Sequence, residues 1–183
     1  MKVILHAGAG KTGSTAIQHF LSRNYEVLKT NGVLYPNPQE NIINSGNSEC
    51  ILTYFESNNE KELKEFIMNQ VKRAKEFNSE QVILSSEILP ELDTNELVVL
   101  KILLDEIFID VCPIIYVRNP YDWTYSAWMQ HVKRHLVFEP FESYYIKIAR
   151  DHLMKICRFI NVFENSKVIS YDSNKKRLIS SFL

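Results

Sequence analysis

Residues Lys2 to Gln18, KVILHAGAGKTGSTAIQ, decide the fold. The apolar run Val3, Ile4, Leu5 stops at a small-residue loop, Gly8-Ala9-Gly10-Lys11-Thr12-Gly13. Ser14 and Thr15 follow, then Ala16, Ile17, Phe20 and Leu21 at helical spacing, so the order is strand, glycine loop, helix. Glycines let the backbone turn closely around a phosphate or sulfate, and the free N-H groups and positive dipole end of the helix attract it. Lys11 adds a full charge, and the hydroxyls of Thr12, Ser14 and Thr15 add donors. This composition predicts a seat for an anionic group.

The segment GAGKT invites a nucleotide-triphosphatase interpretation, but the phosphate-loop pattern of those enzymes needs a glycine five residues before Gly10. Leu5 stands there. Gly13, Ser14 and Thr15 extend the loop in a way that pattern does not require. A bare glycine turn with a solvated lysine is the other alternative, and the rest of the chain has to decide.

The chain has 183 residues, 45% of them hydrophobic, enough for one core and too few for two comfortable domains, so residues 1–183 are expected to form a single domain. A net charge of -1 gives no global drive toward nucleic acid or an anionic membrane. Cys50, Cys112 and Cys157 form no CxxC pair, which fits reduced thiols and a reducing compartment. The histidines show no metal-ligand spacing, and no apolar stretch reaches spanning length. The expectation is a cytoplasmic protein with no metal, no nucleic acid partner and no membrane span. The oligomeric state is not legible.

Downstream of the loop, a helix is expected from about Ser14 to Lys29, ending at Asn31-Gly32, followed by a short extended piece at Val33 to Pro36. Asn37 to Ser48 is polar and predicts a surface loop. Glu60 to Phe77 and Asn95 to Ile107 are amphipathic helices, the second capped by Asp93 or Thr94. Gln81 to Ser86 and Cys112 to Val117 are continuously apolar in their middles and predict buried strands. Tyr144 to Phe163 predicts a helix, Lys167 to Tyr171 a last strand, and the tail a helical turn or two. Strands alternating with helices predict an α/β fold: three layers, P-loop-like, with a central mainly parallel sheet.

In such a sheet, ligands lie at the C-terminal strand ends. Glu87 follows one strand and Arg118 another. After Arg118, Asn119-Pro120 starts a helix that carries Ser126 eight residues beyond the arginine. An arginine fork and a serine hydroxyl suit a phosphate; the alternative is an arginine paired with a surface carboxylate.

At KTGST with Gln18, the first segment resembles the 5'-phosphosulfate-binding loop of sulfotransferases that use 3'-phosphoadenosine 5'-phosphosulfate (PAPS). The stretch from Arg118 to Ser126 resembles their 3'-phosphate-binding segment. Asp122-Trp123 and the SxWxQ element Ser126 to Gln130 look like the bacterial carbohydrate-type members. The resemblance covers about residues 2 to 172. It implies transfer of a sulfuryl group from PAPS to a hydroxyl or amine, with a carbohydrate as acceptor. It implies that Gly10, Lys11, Thr12, Gly13, Ser14 and Thr15 hold the 5'-phosphosulfate, Arg118 and Ser126 hold the 3'-phosphate, and Lys11 stabilises the leaving group. Glu87 is implied as the base, with His6 as the second candidate. The family's glycine- and lysine-containing loop over the nucleotide has no counterpart after Asp172, so the chain reads as C-terminally truncated. The alternatives are a P-loop kinase or triphosphatase, and a non-catalytic binding module.

Overall fold

The computed structural model describes residues 1–36, 46–48, 50–136 and 139–183. Among these, five strands form one parallel sheet in the order β2-β3-β1-β4-β5. They are β1 (Lys2–Gly8), β2 (Val33–Leu34), β3 (Gln81–Ser86), β4 (Asp110–Val117) and β5 (Lys167–Ser170). The helices are α1 (Ser14–Arg23), α2 (Tyr25–Thr30), α3 (Cys50–Glu56), α4 (Glu60–Glu76), α5 (Thr94–Ile107), α6 (Pro120–His135), α7 (Phe141–Val162), α8 (Tyr171–Asn174) and α9 (Leu178–Phe182). The architecture is the expected three-layer α/β fold. Among the described residues no helix is long and apolar enough to cross a membrane.

Strand alternation sends side chains of the central strands to two cores. Val3, Leu5 and Ala7 of β1, with Val82, Leu84, Val111 and Ile115, pack against α4, α5 and α7. Ile83, Ile114, Tyr116 and Ile169 face the other way, onto Ile17 and Leu21 of α1 and onto Leu178 and Phe182 of α9. Burying each such Leu or Ile contributes about 2 kcal/mol, so α1 and the loop before it are anchored from below. Local signals set the helix starts. Asp93 and Glu96 form a reciprocal capping box on α5, and Asn119 accepts from the N-H groups of Tyr121 and Asp122 with Pro120 at the first turn of α6.

Two expectations are corrected. The single helix over residues 14–29 is broken at Asn24, whose backbone and side-chain N-H groups both bond to the Phe20 carbonyl and close α1. Asn47 and Ser48 are not at the surface. Asn47 donates to Ile83 O (2.8 Å) and accepts from Ser85 N (2.7 Å), Ser48 N donates to Ser85 O (3.2 Å), and Gly46 bridges to Ser86. Polar side chains satisfy the backbone at the end of β3, which a sequence pattern does not register. Residues 37–45 of the expected loop lie outside the described residues.

Candidate active site

Register sets which residues meet. Gly8 pairs with Tyr116 and Ala7 with Ser86, so Arg118 emerges level with Gly10, and Glu87 level with Gly8. The two ends therefore flank the loop at one edge of the sheet. Asp110, by contrast, opens β4 at the opposite edge and pairs there with Lys2.

The loop is built on two left-handed residues, Lys11 (φ 68°) and Gly13 (φ 82°). Gly13 caps α1 through its carbonyl, which accepts from Ala16 N and Ile17 N, with no side-chain cap. The first N-H groups of α1 are thus left for an anion. A Cβ on Gly13 would stand 2.5 Å from Leu178 Cδ2, so the glycine is required both by conformation and by the close approach of α9.

A cavity of about 800 Å³ opens over this loop, within the size range of nucleotide-sized sites. Ala9, Gly10, Lys11, Gly13, Ser14, Thr15 and Gln18 form one wall, Glu87, Ile88, Pro90 and Glu91 a second, and α6 and α7 the third. Lys11 has no ion-pair partner among the described residues. Burial, and then the nearby Arg134, lower its pKa, while Glu87 opposes them. The Glu87 carboxylate accepts from Ser14 Oγ and from Thr15 Oγ1 (3.3 Å). Lys155 is tied to Glu91 (2.6 Å) and Asp151 (2.7 Å).

The other sequence-predicted residues are distributed unevenly. Thr12 is fully buried outside the cavity lining, and its hydroxyl donates to Ala9 O, so it shapes the loop instead of facing a ligand. Arg118 reaches the loop without lining the cavity, and it also meets the surface carboxylate weighed as its alternative partner: its Nη1 donates to Lys11 O at 3.2 Å, while Nε lies 3.6 Å from Asp172 Oδ1 and the guanidinium lies over Tyr171. Ser126 is half-buried on α6 beside Ala127 and does not line this cavity. His6 is fully buried beneath the loop, bonded to Ser85 Oγ (2.8 Å) and packed on Tyr116 and Phe182. Burial pushes its pKa down to about 4. It has no access to the cavity and is corrected from base candidate to a core residue.

The third wall is built in part from Trp123 and Gln130, which the sequence marks only through the family resemblance, and in part from residues it does not mark. Trp123, Ala127, Gln130 and Arg134 share one face of α6, a spacing that was available once the helix start was known. His152 and Tyr144 reach the cavity from α7 and carry no sequence signal at all. Trp123 Nε1 donates to Gly10 O (2.7 Å), and its ring stacks on the His152 imidazole, centroids 3.4 Å apart.

No family model and no curated protein matches the chain. Among solved structures, it is similar to the sulfotransferase from Alicyclobacillus acidocaldarius, with a TM-score of 0.54 at 14% identity over 98% of this chain and 76% of that one. It is also similar to the sulfotransferase domain from the curacin biosynthetic pathway, with a TM-score of 0.53 at 16% identity over 98% of this chain and 70% of that one. At such identities the likeness concerns the fold: the chain shares the P-loop-like α/β architecture of these two sulfotransferases.

Proposed function

We propose that the protein is a sulfotransferase that moves a sulfuryl group from PAPS to an acceptor hydroxyl, a carbohydrate hydroxyl by its resemblance to carbohydrate-type members, within one domain spanning residues 1–183. One observation carries this: Arg118 Nη1 donates to the Lys11 carbonyl, so the two cations meant for opposite ends of one donor stand at the same sheet edge. The open N-H groups at the start of α1 and Lys11 suit the 5'-phosphosulfate, and the Ser14 and Thr15 hydroxyls, which donate to Glu87, would join them by turning from that carboxylate to the donor. Arg118 has five N-H donors, of which the Lys11 carbonyl and Asp172 occupy only part, and with Ser126 it would take the 3'-phosphate.

The chemistry then follows from charge. The acceptor oxygen attacks sulfur in line, the new O-S bond forms as the bond from sulfur to the 5'-phosphate oxygen breaks, and Glu87 takes the acceptor proton. Negative charge grows on the departing phosphate, where Lys11 is placed to stabilise it. Glu87 suits the base role because it lines the cavity beside the loop.

A triphosphatase would instead place the hydroxyl after the loop lysine on magnesium. Here that hydroxyl belongs to Thr12, which is buried and committed to Ala9. Calorimetry separates the possibilities. Tighter binding of 3',5'-adenosine bisphosphate than of ADP, together with PAPS-dependent labelling of a member of a glycan, phenol and amine panel, is expected. Magnesium-dependent ATP hydrolysis without such binding would overturn the proposal, and nucleotide binding with no transfer to any acceptor would leave a binding module.

A further inference from the structure

Lys11 is a non-glycine residue in the left-handed region, a conformation that costs about 1 kcal/mol or more and persists only where its surroundings fix it. Two peptide planes define that conformation, Gly10-Lys11 before the Cα and Lys11-Thr12 after it. Both are tied to the segment that follows β4. The first plane's oxygen, Gly10 O, accepts from Trp123 Nε1 at 2.7 Å, and the second plane's oxygen, Lys11 O, accepts from Arg118 Nη1 at 3.2 Å. In a trans peptide the N-H points opposite to the C=O, so these two bonds also set the directions of the Lys11 and Thr12 N-H groups.

We infer that Trp123 is a positioning residue for the anion loop: with Arg118 it clamps both peptide planes of Lys11, and its indole is itself held by face-to-face packing on His152. His152 is 7% exposed and its ring lies at 6° to the indole with centroids 3.4 Å apart, so Trp123 cannot turn about its side-chain torsions without leaving that stack. Burial, and after it Lys155, push the His152 pKa down to about 4, so at neutral pH the stack joins two uncharged rings. The chain of support runs from α7 through His152 and Trp123 to Gly10. It fixes the backbone from which the Lys11 side chain departs. A tryptophan in the cavity wall would otherwise be taken as a surface for ligand packing; here its N-H is spent on the loop.

The inference builds on the loop being an anion seat, so its test has a readout that needs no nucleotide. In Trp123→Phe, which keeps an aromatic ring against His152 and removes the N-H, the order parameter of the Lys11 amide is expected to fall from about 0.85 to below about 0.6. Affinity for inorganic pyrophosphate, the probe for the seat, is expected to drop about five- to tenfold, the worth of one hydrogen bond. Trp128→Phe, at the chain's other tryptophan, should change neither quantity. If Trp123→Phe does not fold, the isosteric benzothienyl analogue of tryptophan at position 123 retains the ring shape and lacks the N-H. A rigid Lys11 amide in either protein would overturn the clamp whatever the ligand results. Wild-type protein that binds pyrophosphate and ignores 3',5'-adenosine bisphosphate would sink the sulfotransferase proposal, and the order parameter would still decide the clamp.

Discussion

Lys11 and Glu87 both line the cavity over the loop, with different attachments to the fold. The Lys11 side chain reaches into the cavity without an ion-pair partner among the described residues, so it adds little to the core. Lys11→Ala is therefore expected to abolish sulfuryl transfer while the urea midpoint moves by no more than the equivalent of about 1 kcal/mol. Glu87 takes two hydroxyl donors, from Ser14 and Thr15, and as the base it alone would receive the acceptor proton. Glu87→Gln keeps the shape and removes the charge. Its turnover should fall at least about a hundredfold with donor affinity retained, and undiminished turnover in steady-state assays would remove Glu87 as the base.

At the scale of elements, the loop is held from beneath by the C-terminal helix α9 as much as by its own glycines. Leu178 comes within 2.5 Å of where a Gly13 Cβ would stand, and Phe182, 4% exposed, packs its ring on His6 under the loop. Phe182→Ala should cost about 3 kcal/mol, read as a lower urea midpoint with an unchanged slope. Gly13→Ala would meet both a positive φ and the Leu178 methyl, and a loss of about 2 kcal/mol is expected in the same measurement. These contacts join a helix at residues 178–182 to a loop at residues 9–13. The sequence announced the loop from its composition and the tail as a helical turn or two, whereas nothing in it placed that helix beneath the loop.

For the whole molecule, buried neutral histidines set the acid limit. His6 titrates near 6.5 when unfolded and near 4 when folded, because burial disfavours its charged form. The unfolded chain therefore binds the extra proton between these values, so the stability His6 contributes is complete above pH 6.5 and is lost as pH falls toward 4. The loss amounts to about 3 kcal/mol. His152 shifts in the same direction. Urea unfolding followed from pH 7 to pH 4 should show this decline, and His6→Asn should flatten it by up to about 1.4 kcal/mol per pH unit.

The sequence by itself determined the strand-loop-helix order at residues 2–18, the strands that end at Glu87 and Arg118, and the three-layer class, because hydrophobic periodicity and glycine, proline and cap signals are local properties of the chain. Tertiary structure alone decided the rest. Only the parallel register places Arg118 level with Gly10, and only packing shows His6 and Thr12 buried, Asn47 locked on β3, and the Trp123 indole committed to a loop carbonyl. Those facts depend on pairs of residues far apart in sequence, whose meeting is fixed by how the sheet assembles and by which polar groups must be satisfied once water is excluded.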